Sequence, residues 1–299
     1  GLSYATGSKN AGDYSTAAGT LTFSGIYSGQ QGYDISYAAT TLTINKASLA
    51  VTANNVTKTY DGTTTVTGGS AAATGGTQLY SGDTLSGGSY AFADKNAGSN
   101  KTVTVSNVTV NDGNNGNNYD VSYIDNTSST INQAALTITA AASTKTYDGT
   151  TTAATGATPT VTSGSLQGGD TFTSLTETYT DKNAGTGKTL KAAAVINDGN
   201  GGNNYAVTYV DNTSGVINQA ALTIVAAAST KTYDGTTAVT GATPTVTVGS
   251  LQGGDTFTSL TEAYTDKNAG TGKTLQAAAV INDGNNGNNY AVTYVDNTS

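Results

Sequence analysis

Apolar and polar residues alternate in short stretches along the chain. In one stretch Tyr205, Val207 and Tyr209 fall on the same side, and the residues between them fall on the other. A second stretch repeats this alternation with Leu190, Ala192, Ala194 and Ile196. A period of two predicts strands with one buried face, because successive side chains of a strand point to opposite sides of the sheet.

Turn-forming dipeptides separate the strand-like stretches. Asp-Gly, Asn-Gly and Gly-Gly punctuate the chain at intervals of about a dozen residues, a spacing typical of sandwiches and barrels of short strands. Signals for helices are nearly absent, since Glu occurs only at positions 177 and 262 and Thr, Asn, Gly and Ser, all poor helix formers, predominate. The pattern therefore predicts an all-β protein.

The apolar side chains of these stretches are mostly small. Ala and Val predominate, with a few large residues such as Phe172, Leu175 and Tyr179. This set fills a thin core of the kind that two facing sheets enclose. We expect immunoglobulin-like β-sandwiches of about seven strands. β-Grasp-like modules are the alternative, although that fold needs a helix for which the sequence gives no convincing signal.

One block of sequence recurs along the chain at a nearly fixed interval. TKTYDGTT occurs three times, with its tyrosine at Tyr60, Tyr147 and Tyr233, which are 87 and 86 residues apart. Three further blocks keep the same order and nearly the same spacing: DKNAG starts at Asp94, Asp181 and Asp266, NNY ends at Tyr119, Tyr205 and Tyr290, and DNTS starts at Asp125, Asp211 and Asp296. A period of about 86 residues exceeds that of a solenoid coil and suits a small domain with its own core.

The recurring blocks set the boundaries of the modules. Residues 1–45 are interpreted as the C-terminal part of a divergent module, because a KNAG block begins at Lys9 and Tyr33 follows it by 24 residues, as in the first full copy. The three full modules, called modules 1, 2 and 3 below, span residues 46–133, 134–219 and 220–299.

The segments that join the modules contain neither Pro nor Gly. In VINQAALTI, at residues 216–224, one apolar strand end leads within about four residues into the next strand start. A linker of this kind lacks the freedom of a Gly/Ser linker. We therefore expect a stiff, extended rod in which each module adds about 35 Å, the length of strands of about ten residues.

The composition excludes several classes of function. The chain has no Cys, Met, Trp or His, so it lacks the thiol and imidazole groups of common metal sites and catalytic triads. Its net charge of −8 repels phosphate backbones and anionic lipids. No stretch approaches the roughly 18 to 20 apolar residues of a membrane helix, and the N-terminus lacks signal-peptide features. We expect no enzyme activity, no nucleic-acid partner and no membrane insertion of this segment, which reads as a piece of a larger protein.

The recurring Tyr-Asp-Gly is interpreted as a turn. In this interpretation Gly supplies a positive φ, Asp hydrogen-bonds the local backbone, and Tyr packs beside the turn. An Asp acting as general acid or base is the alternative, and it would need a second carboxylate at a defined separation in a cleft.

An Asn/Gly-rich loop is the candidate metal site. Asp198, Asn200 and Asn203 of NDGNGGNN offer oxygens at close spacing, as in a calcium loop, and Asp112 and Asp283 occupy the corresponding loops. Calcium needs six to eight oxygens and usually several carboxylates, whereas each loop supplies one Asp. We therefore favour a hairpin without metal and no cofactor, and keep calcium as a weaker alternative that a titration followed by thermal melting tests.

Two lysines beside the motifs suggest a covalent crosslink as a further alternative. Lys145 lies in TKTYDG and Lys182 in DKNAG. A buried lysine next to an Asn and a carboxylate can condense into an isopeptide bond, although lysines more often keep the ammonium in solvent. Intact mass tests this alternative, because each crosslink expels one ammonia.

The blocks TKTYDGTT, DKNAG and NNYxVxY, followed by the VINQAALTI junction, resemble the YDG and MBG-type tandem modules of very large bacterial surface adhesins. The filamentous-haemagglutinin-like exoproteins of Gram-negative bacteria are similar. The resemblance covers three full YDG modules and a related, MBG-like module end. It implies a secreted or surface-tethered protein whose β modules form a stalk or fibre, and it brings no catalytic residues with it.

Two functions follow from these expectations. The first is structural: an extracellular spacer that projects an adhesive region, supports cell adhesion or biofilm formation, and has neighbouring modules of the same chain as its partners. The second is a binding module for surface glycans or for other copies of the chain, including lateral assembly into filaments through open sheet edges. Exposed Tyr side chains could stack on sugar rings, although Tyr at alternate strand positions is more often part of a core.

Overall fold

The computed structural model describes residues 2–4, 10–15, 18, 21–23, 38–80 and 82–298. Lys9 and Tyr33, which support the interpretation of residues 1–45 as a module end, lie outside this part of the chain. The chain divides into two compact units, one formed by residues 1–134, 167–169 and 203–205 and the other by residues 135–166, 170–202 and 206–299.

In the first unit, the strands described before module 1 form two small antiparallel sheets. β1 pairs with β3 and β2 pairs with β4. Their bounds are β1 Leu2–Tyr4, β2 Gly12–Ser15, β3 Leu21–Phe23 and β4 Thr41–Ile44.

Module 1 follows with seven described strands in two sheets. These are β5 Ala47–Ala53, β6 Thr57–Thr59, β7 Ala71–Thr74, β8 Thr84–Phe92, β9 Gly98–Asn111, β10 Tyr119–Ile124 and β11 Asn126–Asn132. The three-stranded sheet has the order β10-β5-β7, and the four-stranded sheet has the order β6-β11-β9-β8. β10 runs parallel to β5 and β11 runs parallel to β6, so the beginning of the module is hydrogen-bonded to its end.

The core of module 1 lies between these two sheets. Leu49 and Val51 of β5 are fully buried, and they pack with Val110 of β9 and Tyr119 of β10. Alternation along the strands produces this core, because every second residue points inward. β5 also carries a continuous buried run from Leu49 to Val51.

The strands of module 2 repeat this arrangement. They are β12 Ala134–Thr139, β13 Thr144–Thr146, β14 Thr160–Ser163, β15 Thr171–Tyr179, β16 Gly185–Asn197, β17 Tyr205–Val210 and β18 Asn212–Asn218. The sheet orders are β14-β12-β17 and β13-β18-β16-β15. The alternation predicted for β16 is confirmed, because Leu190 and Ile196 are buried while Lys191 and Val195 between them are exposed.

Module 3 is built in the same way up to its last strand. Its strands are β19 Ala220–Val225, β20 Thr245–Val248, β21 Thr256–Tyr264, β22 Thr274–Asn282, β23 Tyr290–Val295 and β24 Asn297–Thr298, in sheets of order β20-β19-β23 and β21-β22-β24. Residues 230–232 correspond to β13 but form no strand. β13 pairs with residues 216–218 of β18, and β24 stops before the corresponding positions.

The prediction of an all-β chain of small sandwich modules is confirmed, and the described residues contain no helix. One expectation differs from the structure. The sequence predicts a separate core for each module, whereas in the second unit a single buried cluster includes Tyr147 and Leu190 of module 2 together with Leu222 and Tyr290 of module 3. The cause is a pair of tyrosine rings at the module boundary, described below. Within the described residues, no helix has the length and apolar character needed to cross a membrane.

Candidate functional site: the contact between successive modules

Two tyrosines from different motifs meet where module 2 passes into module 3. Tyr147 of the YDG motif is 2% exposed, and Tyr290 of the NNY motif is 3% exposed. Their rings contact edge to face, with centroids 5.5 Å apart and planes at 79°. An aromatic pair of this geometry adds about 0.5–1.5 kcal/mol beyond the area that it buries. We call the surface of module 2 that carries Tyr147 its trailing face, and the surface of module 3 that carries Tyr290 its leading face.

Both tyrosine hydroxyls bind the same carboxylate on the leading face. Tyr147 donates a hydrogen bond of 2.9 Å to Oδ2 of Asp255, and Tyr290 donates one of 2.7 Å to the same oxygen. The Tyr290 hydroxyl also accepts a hydrogen bond from the backbone N–H of Gln252 at 2.6 Å. A carboxylate whose side chain is only 4% exposed needs such donors, because burying an unpartnered charge is costly.

Lys182 of the DKNAG motif supplies the countercharge. Its Nζ lies 3.5 Å from Oδ1 of Asp255 and 5.8 Å from the centroid of the Tyr147 ring. The pKa of Lys182 is raised, chiefly by its interaction with the Tyr147 hydroxyl. Burial raises the pKa of Tyr147 and of Tyr290, and the hydrogen bonds to Asp255 raise both further. The trailing face therefore holds a neutral tyrosine and a charged lysine against the carboxylate at neutral pH.

A buried amide joins the two faces at a second point. Asn289, beside Tyr290, is fully buried. Its Oδ1 accepts the backbone N–H of Ala184 at 2.8 Å, and its Nδ2 donates to Oδ1 of Asn183 at 3.3 Å. The Asn and Ala of DKNAG thus bind the side-chain amide of the second Asn of NNY.

The linker residue Gln219 holds the strand connection against the leading face. It is the single residue between β18 and β19. Its Nε2 donates to the backbone oxygens of Asn288 and Tyr290 at 2.9 and 3.3 Å, and the N–H of Ala220 donates to the backbone oxygen of Asn289 at 2.9 Å. These hydrogen bonds hold the linker against the leading face, a restriction that could not be read from the linker sequence.

The backbones of the two faces touch at a pair of glycines. A Cβ added to Gly149 of the YDG motif would lie 2.4 Å from Cα of Gly253, and one added to Gly253 would lie 2.7 Å from Cα of Gly149. Real Cβ atoms do not approach backbone atoms so closely. Both glycines also have positive φ values, 76° and 57°, which other residues adopt only with strain. Each of these two positions therefore requires glycine for two reasons, the space that a Cβ would need and the positive φ.

The first unit contains the same contact between the trailing face of module 1 and residues 167–169 and 203–205. Tyr60 and Tyr205 contact edge to face with centroids 5.5 Å apart at 78°, and Lys95 Nζ lies 5.9 Å from the Tyr60 ring centroid. The amide, linker and glycine contacts repeat as well. The N–H of Ala97 donates to Asn204 Oδ1 at 2.8 Å, Gln133 Nε2 donates to the backbone oxygens of Asn203 and Tyr205 at 2.9 and 3.2 Å, and a Cβ added to Gly62 would lie 2.4 Å from Gly168 Cα.

The amide contact also occurs before module 1. The N–H of Ala11 donates to Oδ1 of Asn118 at 2.6 Å, and Nδ2 of Asn118 donates to Oδ1 of Asn10 at 3.2 Å. Asn10 and Ala11 belong to the KNAG block near the N-terminus. The divergent segment therefore binds module 1 through the same Asn and Ala as the DKNAG blocks use. Tyr119 again donates to the leading-face carboxylate, Asp83 Oδ2, at 2.5 Å.

The turn interpretation of YDG is confirmed for its Asp and its positive-φ Gly, whereas the Tyr of module 2 packs against Tyr290 of the next module and not beside the turn. Oδ1 of Asp148 accepts the backbone N–H of Thr150 at 2.9 Å and the ammonium of Lys145 at 2.7 Å. Burial alone would raise the pKa of Asp148, but these hydrogen bonds outweigh it and hold the pKa below the usual value. Lys145, a candidate for an isopeptide crosslink, is thus paired with the Asp of its own motif, and Lys182, the other candidate, is paired with Asp255. The crosslink stays the weaker alternative, which intact mass tests.

The three aspartates of the candidate calcium loops cap turns. Asp283 Oδ1 accepts the N–H groups of Asn285 and Gly287 at 2.8 Å each, and its Oδ2 accepts that of Asn289 at 3.0 Å. Asp112 binds the corresponding three N–H groups of module 1, and Asp198 binds those of Asn200 and Gly202 at 2.7 and 2.8 Å. These bonds outweigh burial and lower the pKa of Asp112 and Asp283.

The capping bonds have a structural consequence. Each loop positions the Asn-Asn-Tyr that follows it, including the Asn289 that enters the module contact. The fifth calcium candidate, Asn203, supplies a backbone oxygen to Gln133. No group of three or more Asp or Glu side chains that could hold a metal ion is found in the described residues. The preference for a hairpin without metal stays a prediction, with calcium as the weaker alternative that a titration tests.

Several residues of the contact were missed in the sequence. Asp255, Gly253, Asn289 and Gln219 drew no functional assignment, although GGD recurs at 168–170 and 253–255 and NQAAL recurs at each full junction. The recurrence of these residues was therefore visible in the sequence. Their binding partners were not, because each partner lies 105 to 108 residues away along the chain.

The motifs that recur in the sequence are thus the two sides of one repeated contact. Searches of curated proteins and of solved structures return no match. The model of the YDG domain family matches residues 44–129, 132–214 and 218–298, most of the chain. The chain therefore belongs to the YDG domain family, of which it carries three tandem copies.

Proposed function

We propose that the chain is a structural part of a secreted bacterial surface adhesin or extracellular fibre, in which the modules form a stalk and support cell adhesion or biofilm formation. One observation carries the proposal: at the contacts that follow modules 1 and 2, the same tyrosine pair, amide contact and glycine pair are present. A contact of this kind holds neighbouring modules in one orientation, as a spacer requires. The extracellular setting is an inference from the resemblance to adhesin repeats.

The stalk proposal is tested on intact bacteria that carry the native gene. Antibodies raised against residues 46–299 should label unpermeabilised cells, and brief external proteolysis should remove the label. A cytoplasmic control protein must stay intact in the same samples. Labelling that appears only after permeabilisation would refute the proposal.

Small-angle scattering of the purified chain tests the geometric part of the proposal. We expect a rod whose length grows by about 35 Å for each module, from strands of about ten residues at 3.3 Å each. The comparison variant is Gly149→Val, whose side chain obstructs the contact between modules 2 and 3. A compact particle with a radius of gyration near that of a globular protein of the same length would contradict the rod.

A second function, binding of glycans or of other copies of the chain, is favoured by three exposed tyrosines. Tyr123, Tyr209 and Tyr294 occupy the same position in modules 1, 2 and 3 and are 42–43% exposed. Such rings can stack on sugars. A glycan array and a bead-aggregation assay with the full chain test this function. Loss of any signal on simultaneous Tyr→Ser substitution at the three positions would support it, and the absence of signal in both assays would exclude it.

A further inference from the structure

Each module is open along one side, between its two sheets. In module 2, β18 pairs with β16 only between Gly185 and Leu190. Residues 192–197 of β16 therefore have β15 on one edge and, among the described strands, no paired strand on the other. β17 is the last strand of the facing sheet and pairs with β12 alone. We call the gap between these two free edges the seam of module 2; β9 and β10 border the seam of module 1, and β22 and β23 border that of module 3.

A tyrosine of one sheet reaches across the seam to the other sheet. Tyr209 lies on β17, and its hydroxyl accepts the backbone N–H of Ala194 on β16 at 3.2 Å. The carbonyl oxygen of Ala194 lies 3.5 Å from the same hydroxyl. The N–H and C=O of one strand residue point to the same edge of the strand. This hydroxyl therefore occupies the backbone groups at which a further strand would pair with β16.

The same contact occurs in the other two modules. The hydroxyl of Tyr294 accepts the N–H of Ala279 at 3.2 Å and lies 3.4 Å from its carbonyl oxygen. The hydroxyl of Tyr123 accepts the N–H of Val108 at 3.0 Å, in a seam strand whose sequence differs from those of modules 2 and 3. The three side chains remain 42–43% exposed. The contact therefore recurs at a position that core packing does not fix.

The seam edges of modules 2 and 3 lack other features that keep a strand from pairing with another chain. Charged residues and prolines on edge strands are the usual ones. Residues 192–197 read AAAVIN and contain neither, and residues 277–282 of β22 have the same sequence. Lys191 precedes the first of these segments, but Gln276 takes its place in module 3. An exposed, uncharged edge of this kind pairs readily with other chains unless something occupies it.

An open groove of about 550 Å³ follows the seam of module 3. Its wall includes Ala279, Val280 and Ile281 of β22 and Val292 and Tyr294 of β23. The described residues of the wall include no charged side chain. The groove therefore suits a neutral, extended segment. The seam strands themselves are such segments, and every copy of the chain carries them.

We propose that the hydroxyls of Tyr123, Tyr209 and Tyr294 cap the seam edges and prevent them from pairing with a seam strand of a second copy of the chain. Each hydroxyl opposes strand addition, because its bond to the backbone must break before another chain can pair. The inference goes beyond the stalk proposal, which concerns modules in series and not neighbouring chains. It leaves the exposed rings available to sugars, and it predicts the opposite effect from self-association through these tyrosines.

The test removes the three hydroxyls and leaves the rings. The full chain with Tyr123→Phe, Tyr209→Phe and Tyr294→Phe is compared with the parent chain by sedimentation velocity over a range of concentrations. We expect the association constant to rise about fivefold or more, since a hydrogen bond no longer has to be broken at each seam. Tyr80→Phe is the control, because Tyr80 is 59% exposed and lies outside the strands. This variant should associate no more than the parent chain.

Cysteine trapping locates the pairing, since the chain has no cysteine of its own. One chain with the three Phe substitutions carries Val195→Cys and Val280→Cys on the seam strands. The matched chain carries Thr176→Cys and Thr261→Cys, which are exposed positions on β15 and β21. Mild oxidation and non-reducing electrophoresis give the rate at which disulfides form between chains. We expect this rate to be about fivefold or more higher on the seam strands, and the difference to disappear when the three tyrosines are restored.

Three results would overturn the proposal. An unchanged association constant would show that the hydroxyls do not protect the edges, and a lower one would show that they are contacts between copies. Equal trapping on β15 and β21 would place the association at other edges. Circular dichroism checks the fold of each variant, and if the triple variant is unfolded, Tyr209→Phe with Val195→Cys replaces it and must meet the same criteria. Labelling of intact cells tests the stalk independently of these measurements.

Discussion

The hydroxyl of Tyr147 donates a hydrogen bond of 2.9 Å to the carboxylate of Asp255, although the two residues are 108 positions apart and belong to different modules. Tyr233 is the same residue of the same motif one module later, and it is 60% exposed. The chain thus contains an exposed control for each trailing-face member of the contact. Paired substitutions can separate what a motif does within its module from what it does at the junction.

Removing the Tyr147 hydroxyl should weaken the junction. Tyr147→Phe leaves the ring in place and takes one of the donors from the buried Asp255 carboxylate, which should cost about 1–3 kcal/mol in the free energy of unfolding. Tyr233→Phe should cost almost nothing, because its hydroxyl faces solvent. Urea-induced unfolding measures both, and similar losses in the two variants would contradict the proposed role of the contact.

Adding a methyl group to the YDG glycine should separate backbone strain from docking. Gly149→Ala and Gly235→Ala introduce Cβ at nearly the same φ, 76° and 78°, so both should lose about 1 kcal/mol from strain. Only Gly149 faces another backbone, since nothing lies within 4 Å of a Cβ at Gly235. Gly149→Ala should therefore lose a further 1–3 kcal/mol or so from overpacking. Thermal unfolding of the two variants gives the difference, and no difference would mean that the two faces separate easily.

Alkaline pH should open the junction. Because the folded-state pKa values of Tyr147, Tyr290 and Lys182 are raised, their contribution to stability is complete below the unfolded values of about 10 to 10.4 and is lost as the pH rises through the folded values. The melting temperature should fall as the pH is raised above about 10. In Tyr147→Phe the fall should be smaller. An equal fall in both chains would assign the effect to other groups.

The loop aspartates should stabilise the fold through backbone N–H groups. Asp112→Asn replaces one acceptor oxygen with a donor that faces the N–H of Asn118, so we expect a loss of about 1–3 kcal/mol. Asp120→Asn, an exposed change in the same module, is the control. The pKa of Asp112 is lowered, so its contribution is present above the unfolded value of about 4 and is lost as the pH falls through the folded value. Acid titration of the melting temperature should show this loss in the parent chain and less of it in Asp112→Asn.

Calcium should leave the melting temperature unchanged. The oxygens of Asp112, Asp198 and Asp283 already accept backbone N–H groups in each loop. A titration to about 10 mM calcium covers even the weak affinities of extracellular sites. A clear rise in the melting temperature that EDTA reverses would show that the loops rearrange around the ion.

Much of the fold could be predicted from local patterns. Strand β16 shows why: alternate burial of Leu190 and Ile196 requires only that one face of a sheet meet a core. The YDG turn was equally accessible, since Asp148 bonds to Thr150, two residues away. The roles of Asp255 and Asn289 could not be predicted in this way, because their partners are set by how two modules pack.

The sequence by itself determined the repeat, the strands and the turns, since period-two burial, Asp-Gly turns and the recurrence of motifs are all properties of neighbouring residues. Only the tertiary structure decided that the recurring motifs are opposite halves of one contact. Tyr147 is buried because a carboxylate, an amide and a glycine backbone of module 3 pack against the trailing face of module 2. The residues that supply these groups lie more than a hundred positions away along the chain, and packing at such a separation leaves no local pattern in the sequence.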